Sequence, residues 1–258
     1  MKHFQSGGLM LAYEDVIPEG PPEGVMVLVH GFATSVEENW RRLGWLAALE
    51  RKGRRAVALD LRGHGQSAKP HAVAAYDREA MAGDIAAMMD HLGIQRADVM
   101  GYSLGAQLSL AFALSRPERV DHLILGGIGK RREERPSATM TLAEAMRAAD
   151  PQTITDPILK GFRRFAEVEG ADREALAACS EGAGRPLAAD DLGRLATPTL
   201  VVTGTLDTIA GDPQGVADLI PGAKCVTIPG CDHFSAIPHA LYKAAVFDFL
   251  EGWLDELP

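Results

Sequence analysis

The 258-residue chain has no apolar run approaching the roughly 20 residues needed to span a bilayer, so no transmembrane helix is expected. Its opening, Met1-Lys2-His3-Phe4-Gln5-Ser6, lacks the apolar stretch of a secretion signal. Cysteine is scarce. Cys179, Cys225 and Cys231 are an odd set, which argues against a disulfide framework and for free thiols in a cytoplasmic protein. Positive charge is in deficit, with 26 Lys and Arg against 35 Asp and Glu and a net charge of −9. That balance disfavours nucleic acid and anionic membrane as partners. Cys231-Asp232-His233 matches no tetrahedral zinc spacing, so no metal is expected. Internal repeats and low-complexity segments are missing as well.

The rest of the composition is that of a soluble globule with a sizeable core: 47% hydrophobic and 24% charged residues, in a length that fits one large α/β domain or two small ones. Apolar runs at Val25–Val29, Arg55–Asp60, Ala97–Met100, Val120–Gly126, Thr199–Gly204 and Lys224–Ile228 read as strands, most of them buried on both faces. Leu9–Glu14 reads as an earlier strand. Helical spacing runs through Trp40–Lys52, Arg78–Leu92, Ala106–Leu114 and Leu241–Leu254. The alternation predicts a doubly wound, mostly parallel sheet. It breaks between about Lys130 and Ala196, where charged, Pro-interrupted helical segments replace strands. The expected organisation is therefore a core of residues 1–129 and 197–258 with a helical insertion of residues 130–196.

Gly101-Tyr102-Ser103-Leu104-Gly105 lies between a strand and a helix. A serine with glycine two residues away on each side suits a sharp strand-to-helix turn that holds the hydroxyl above the sheet in a strained backbone state. The helix N-terminus then aims amide groups at the same point. A serine hydroxyl needs a base, and the base needs an orienting carboxylate. Both belong beyond the C-terminal ends of strands. Asp207 follows the Thr199–Gly204 strand and His233 follows the Lys224–Ile228 strand, so the chain order is Ser103, Asp207, His233. Asp212 competes with Asp207 but is better placed to cap a helix starting near Pro213, and Asp232 adjoins His233. His3, His71, His91, His122 and His239 lie away from such strand ends. Val29-His30-Gly31-Phe32 follows the strand Val25–Val29. Two backbone donors for an oxyanion are expected from Leu104, after the serine, and Phe32, with His30 holding the loop.

These segments, with Asp60-Leu61-Arg62-Gly63-His64-Gly65-Gln66-Ser67, together resemble the α/β-hydrolase superfamily, in particular its esterase-like members with a single cap. The resemblance implies the fold, a Ser103–His233–Asp207 triad and an active site between core and cap, with a structural role for Asp60–Ser67. Relatives that open epoxides or remove halogens carry aspartate at the elbow, and Ser103 sets this chain apart from them. The expected activity is hydrolysis of small to medium carboxylic esters through an acyl-enzyme, with no cofactor. An enol-lactonase, a carbon–carbon bond hydrolase of ring-cleavage products, or a ligand sensor on the same fold remain open. Tyr102, Phe162 and Phe165 are candidates to contact substrate, with Met140, Met146, Ile158 and Leu159 also facing the cavity. Lys130-Arg131-Arg132-Glu133-Glu134-Arg135 reads as a solvated hinge, or alternatively as the source of an arginine for a substrate carboxylate.

Overall fold

The apolar runs become the middle of an eight-stranded sheet. In the computed structural model, which describes residues 1–130, 140–183 and 189–255, the strands are β1 (Lys2–Ser6), β2 (Leu9–Val16), β3 (Gly24–Val29), β4 (Arg54–Leu59), β5 (Ala97–Tyr102), β6 (Val120–Gly126), β7 (Thr199–Gly204) and β8 (Lys224–Ile228). Their order across the sheet is β1-β2-β4-β3-β5-β6-β7-β8. β1 and β2 run antiparallel at one edge and the other six are parallel. The order doubles back at β3, so the C-terminal ends of β3 and β5 adjoin at a topological switch point, where open α/β sheets leave a crevice.

Successive side chains of a strand point to opposite faces, and each face has its own core. Val27, Val29, Val57, Leu59 and Val99 pack under α2 (Arg78–His91) and α3 (Leu104–Ser115). Met26, Leu28, Ala56, Ala58 and Met100 pack under α1 (Trp45–Arg51) and α9 (Ala240–Leu250). Between β6 and β7 the chain leaves the sheet to form α4 (Leu142–Arg147), α5 (Pro157–Val168), α6 (Arg173–Gly182) and the short α7 (Ala189–Leu192). α8 (Gln214–Ala217) precedes β8.

Two expectations need correction. The helix read through Trp40–Lys52 is two pieces, a π-helical turn over Glu37–Arg41 and α1. Gly44, at φ 73°, separates them with a left-handed backbone that an L side chain rarely adopts. The edge strand β1 has no counterpart among the strands expected from the sequence.

The Asp60–Ser67 segment ties the sheet to the loops around it. Asp60 accepts the Val36 and Gln66 N–H groups, each at 2.7 Å. Arg62, buried, pairs with the buried Asp84 of α2 through Nε and Nη2, both at 2.7 Å. Ser6 donates to the same carboxylate at 2.6 Å.

His122 on β6 lies 2.7 Å from Asp98 on β5, and that hydrogen bond raises the imidazole's pKa above its ordinary value, although burial and Arg54, which also pairs with Asp98, oppose the shift. A histidine whose pKa is raised by folding stabilises the fold fully below its ordinary pKa of about 6.5 and loses that contribution as pH rises through the folded value. Thermal melts of His122→Ala should therefore show a Tm deficit at about pH 6 that shrinks toward about pH 9. A deficit that grows with pH would contradict the pairing.

Candidate active site

Ser103 sits between β5 and α3 with φ 54° and ψ −112°, a backbone state rare for a non-glycine residue and costly unless the surroundings enforce it. The flanking glycines show what enforces it. A Cβ on Gly101 would collide with the Gly105 carbonyl, and one on Gly105 with the Val29 carbonyl. The start of α3 can lie against both β5 and the end of β3 only with both side chains missing.

The structure brings the three triad candidates into one line. His233 Nε2 lies 3.0 Å from Ser103 Oγ, and His233 Nδ1 lies 2.7 Å from Asp207 Oδ2. Asp207 is buried, and its second oxygen accepts the N–H groups of Ile209 at 3.0 Å and Ala210 at 2.8 Å. Asp207 thus caps its own turn with one oxygen and faces the imidazole with the other. The competitors are engaged elsewhere. Asp212 Oδ1 accepts the Gln214 N–H, and Asp232 Oδ1 accepts the Phe234 and Ser235 N–H groups.

The loop after β3 is pinned in a defined orientation. Leu61 N–H donates to His30 Nε2 at 3.0 Å, so His30 carries its proton on Nδ1 and donates to the Gly31 carbonyl at 2.7 Å. Burial pulls the His30 pKa down to about 4, which keeps the ring neutral in this role. Its buried neighbour His64 is pulled down to about 3, again chiefly by burial. In a trans peptide the N–H points opposite the carbonyl, so holding the Gly31 carbonyl fixes the direction of the Phe32 N–H. Leu104 is the first residue of α3, and its N–H has no partner within the helix.

A cavity of about 220 Å³ opens over Ser103, lined by Gly31, Phe32 and Tyr102 from the core and by Phe162 and Phe165 of α5. Glu38, Asn39, His233 and Phe234 also line it. The rings of Phe32 and Phe162 meet edge-on at 5.8 Å and those of Phe162 and Phe234 at 6.1 Å, so an aromatic row joins the inserted helices to the core.

Of the inserted side chains expected to face the cavity, Phe162 and Phe165 reach it. Met146 is buried against Ala166 and Leu176, and Leu159 and Met140 pack around Ile154, so these three hold helices together instead. Tyr102 lines the cavity, but its hydroxyl donates to the His233 carbonyl at 2.5 Å and so steadies the histidine loop. Asn39 and Glu38 join the wall without a signal in the sequence motifs, and Phe234, the end of the Pro229–Phe234 motif, joins it without a role read from the sequence. Phe234 is next to His233 in sequence and 57% exposed, whereas no spacing pattern links Glu38 or Asn39 to Ser103.

Among the described lining residues, Glu38 is the sole carboxylate, and no lysine or arginine is present. Burial raises the Glu38 pKa and the nearby Glu169 carboxylate raises it further, while Arg42 at 2.6 Å opposes both. Arg163, buried in α5, donates at 2.8 Å to the carbonyls of Ala145 and Ala148 and to Glu167, which commits it to the end of α4. Of the segment expected to form a hinge, Arg131, Arg132 and Arg135 lie outside the described residues.

Comparison with known proteins agrees with this architecture. A family model described as the alpha/beta hydrolase fold matches residues 24–173. The chain is 32% identical over 243 residues to the dihydrolipoyllysine-residue acetyltransferase component of an acetoin cleaving system from Pseudomonas putida, which covers 88% of this chain. The chain spans 62% of that relative's length. It is 30% identical over 247 residues to a 2-hydroxymuconate semialdehyde hydrolase from Pseudomonas sp. strain CF600, covering 87% of this chain and 86% of the relative. The crystal structure of the enol-lactonase from Burkholderia xenovorans LB400 superposes with a TM-score of 0.80 at 24% identity, over 97% of this chain and 100% of that one, a likeness of fold.

Proposed function

Because the chain belongs to the α/β-hydrolase fold family, we propose that it is a serine hydrolase that cleaves uncharged, small to medium carboxylic esters. The inserted helices act as a cap that closes the far side of the cavity.

In this reading Ser103 is the nucleophile. Its Oγ attacks the ester carbonyl as His233 Nε2, at 3.0 Å, takes the proton. Asp207 holds the imidazole in the tautomer with its proton on Nδ1 and stabilises the imidazolium. The negative charge on the carbonyl oxygen meets the N–H groups of Phe32 and Leu104, donors already oriented before substrate arrives. Collapse of the tetrahedral species breaks the bond to the alkoxy oxygen, which leaves as the alcohol with the proton from His233. Water then attacks the acyl-enzyme by the same route and releases the carboxylic acid, so one ester and one water become one acid and one alcohol. No step draws on a cofactor.

The observation that carries the choice of substrate is the cavity lining. Its described side chains are largely apolar and aromatic, with one acid and no lysine or arginine. Ring-cleavage dienoates bring a carboxylate, which among these described side chains would meet, at a cost, aromatic rings and the Glu38 carboxylate. An uncharged acyl chain meets no such penalty.

The test is a series of p-nitrophenyl esters of increasing acyl length, run beside an enol lactone and a ring-cleavage dienoate. Each methylene that fits an apolar wall contributes up to about 0.8 kcal/mol, or about fourfold in kcat/KM. The gain should reverse once the chain meets the closed end. We expect an optimum between acetate and octanoate. A flat profile through palmitate would mean an open cleft. Fast lactone opening or dienoate cleavage without ester turnover would transfer the assignment to those reactions. One slow release per protein molecule would make the chain a ligand sensor.

A further inference from the structure

The loop that carries His233 is tied separately to the two elements that carry Asp207 and Ser103. On the carboxylate side, the Leu206 N–H donates to the Cys231 carbonyl and the Gly230 N–H to Thr205 Oγ1, both at 2.9 Å. These bonds join the residues just before Asp207 to the residues just before His233 and fix the span between the two. On the serine side the tie is Tyr102, the residue before Ser103, whose hydroxyl donates to the His233 carbonyl at 2.5 Å. Among the described residues, that bond and the one between Ser103 Oγ and His233 Nε2 are the two hydrogen bonds that join the elbow to the histidine loop.

Tyr102 is buried, and its ring lies 5.4 Å from that of His233. The end of β6 is bare where the two rings rest. A Cβ on Gly127 would stand 2.9 Å from Tyr102 Cζ and 3.1 Å from His233 Cε1. Burial holds the Tyr102 pKa well above its ordinary value, so the hydroxyl keeps its proton and stays a donor. Bonds inside the loop do not replace this one. Asp232 accepts the Phe234 and Ser235 N–H groups, which shapes the loop without setting its distance from β5.

We propose that Tyr102 is a positioning residue whose hydroxyl sets the distance between His233 Nε2 and Ser103 Oγ, so that the serine's own neighbour in the chain holds the base that activates it. The inference rests on the serine-hydrolase reading above. The hydroxyl is taken up by the His233 carbonyl, so Tyr102 offers the cavity its ring alone. Without that bond the loop keeps its register to Asp207, while the gap to Ser103 is left to the catalytic hydrogen bond itself. Proton transfer across that gap then suffers, in acylation and in deacylation alike. A misplacement of about 1 Å at a reacting pair costs up to about a hundredfold.

Tyr102→Phe removes the hydroxyl and keeps the ring. With p-nitrophenyl butyrate, kcat and kcat/KM should fall together by about tenfold, with KM within about twofold of wild type. In a His233→Ala background the same substitution should leave the residual rate within about twofold, because Tyr102 then has no base to position. An amine restores a donor, so 4-aminophenylalanine introduced at position 102 should recover most of the lost kcat. Tyr102→Met, which also lacks the donor, carries the measurement if Tyr102→Phe fails to fold. A kcat within about twofold of wild type, a loss confined to KM, or a loss that persists in the His233→Ala background overturns the inference. If the wild-type protein turns over no p-nitrophenyl ester, the ester reading fails by itself. The rate at which a fluorophosphonate labels Ser103 draws on the same base and should still fall about tenfold in Tyr102→Phe. An unchanged labelling rate overturns the tether.

Discussion

Ser103→Ala is expected to lower kcat for p-nitrophenyl esters on the order of 10⁶-fold, and adding His233→Ala should cost almost nothing more. In the proposed mechanism the two side chains work as one device. Without the hydroxyl, His233 has no proton to take, and without the imidazole, the hydroxyl 3.0 Å away stays protonated. What remains is binding and the two amides, worth a residual acceleration over water. Alanine at 103 keeps the turn, since the glycines and not the serine hydroxyl make room for it. Circular dichroism should therefore be unchanged. A Ser103→Ala protein within a hundredfold of wild type, or a double variant far below both singles, would contradict the shared role.

Asp207→Asn is the second large effect, a loss of about 10⁴-fold with the fold intact. Asp207 Oδ2 accepts from His233 Nδ1 at 2.7 Å, and a carboxylate there can only accept. An amide whose NH₂ group faces the ring invites the opposite tautomer, with the proton on Nε2, where it can no longer take one from Ser103. The amide's other end still accepts the Ile209 and Ala210 N–H groups, so the turn survives. Asp212→Asn and Asp232→Asn alter carboxylates that cap local backbone and should change kcat less than about tenfold. Steady-state kinetics of the three variants settle the ranking, and a larger loss at either control would move the assignment.

The centre of the fold is legible in the sequence because its constraints are local. β5 and β7 are buried along their whole length, which calls for mainly apolar runs, and at the elbow a Cβ on Gly101 or Gly105 would strike backbone, so both glycines show in the sequence. The chain order of Ser103, Asp207 and His233 follows from where strands end. β1 is illegible because it is a five-residue edge strand with only Phe4 and Ser6 buried, too short a pattern to separate from a loop. The break at Gly44 is illegible because Trp40, Trp45, Leu46 and Leu49 keep an apolar face across both pieces. The cavity wall is the least legible part. Asn39, Phe162 and Phe234 meet only because three distant stretches converge over one turn, and no spacing in the chain records that. Helix α5 shows the same limit. It presents Phe162 and Phe165 to the cavity, and its buried Arg163 turns to the carbonyls of α4.

The central claim is that Ser103 alone forms the covalent bond. A fluorophosphonate should react with Ser103 Oγ, expelling fluoride and leaving a stable phosphonyl ester, because the same histidine and oxyanion donors act on the phosphorus centre. Intact-mass analysis should show one adduct per chain, peptide mapping should place it on Ser103, and Ser103→Ala should stay unlabelled. Label on any other residue of the wild-type protein, or label that persists in Ser103→Ala, would contradict the account.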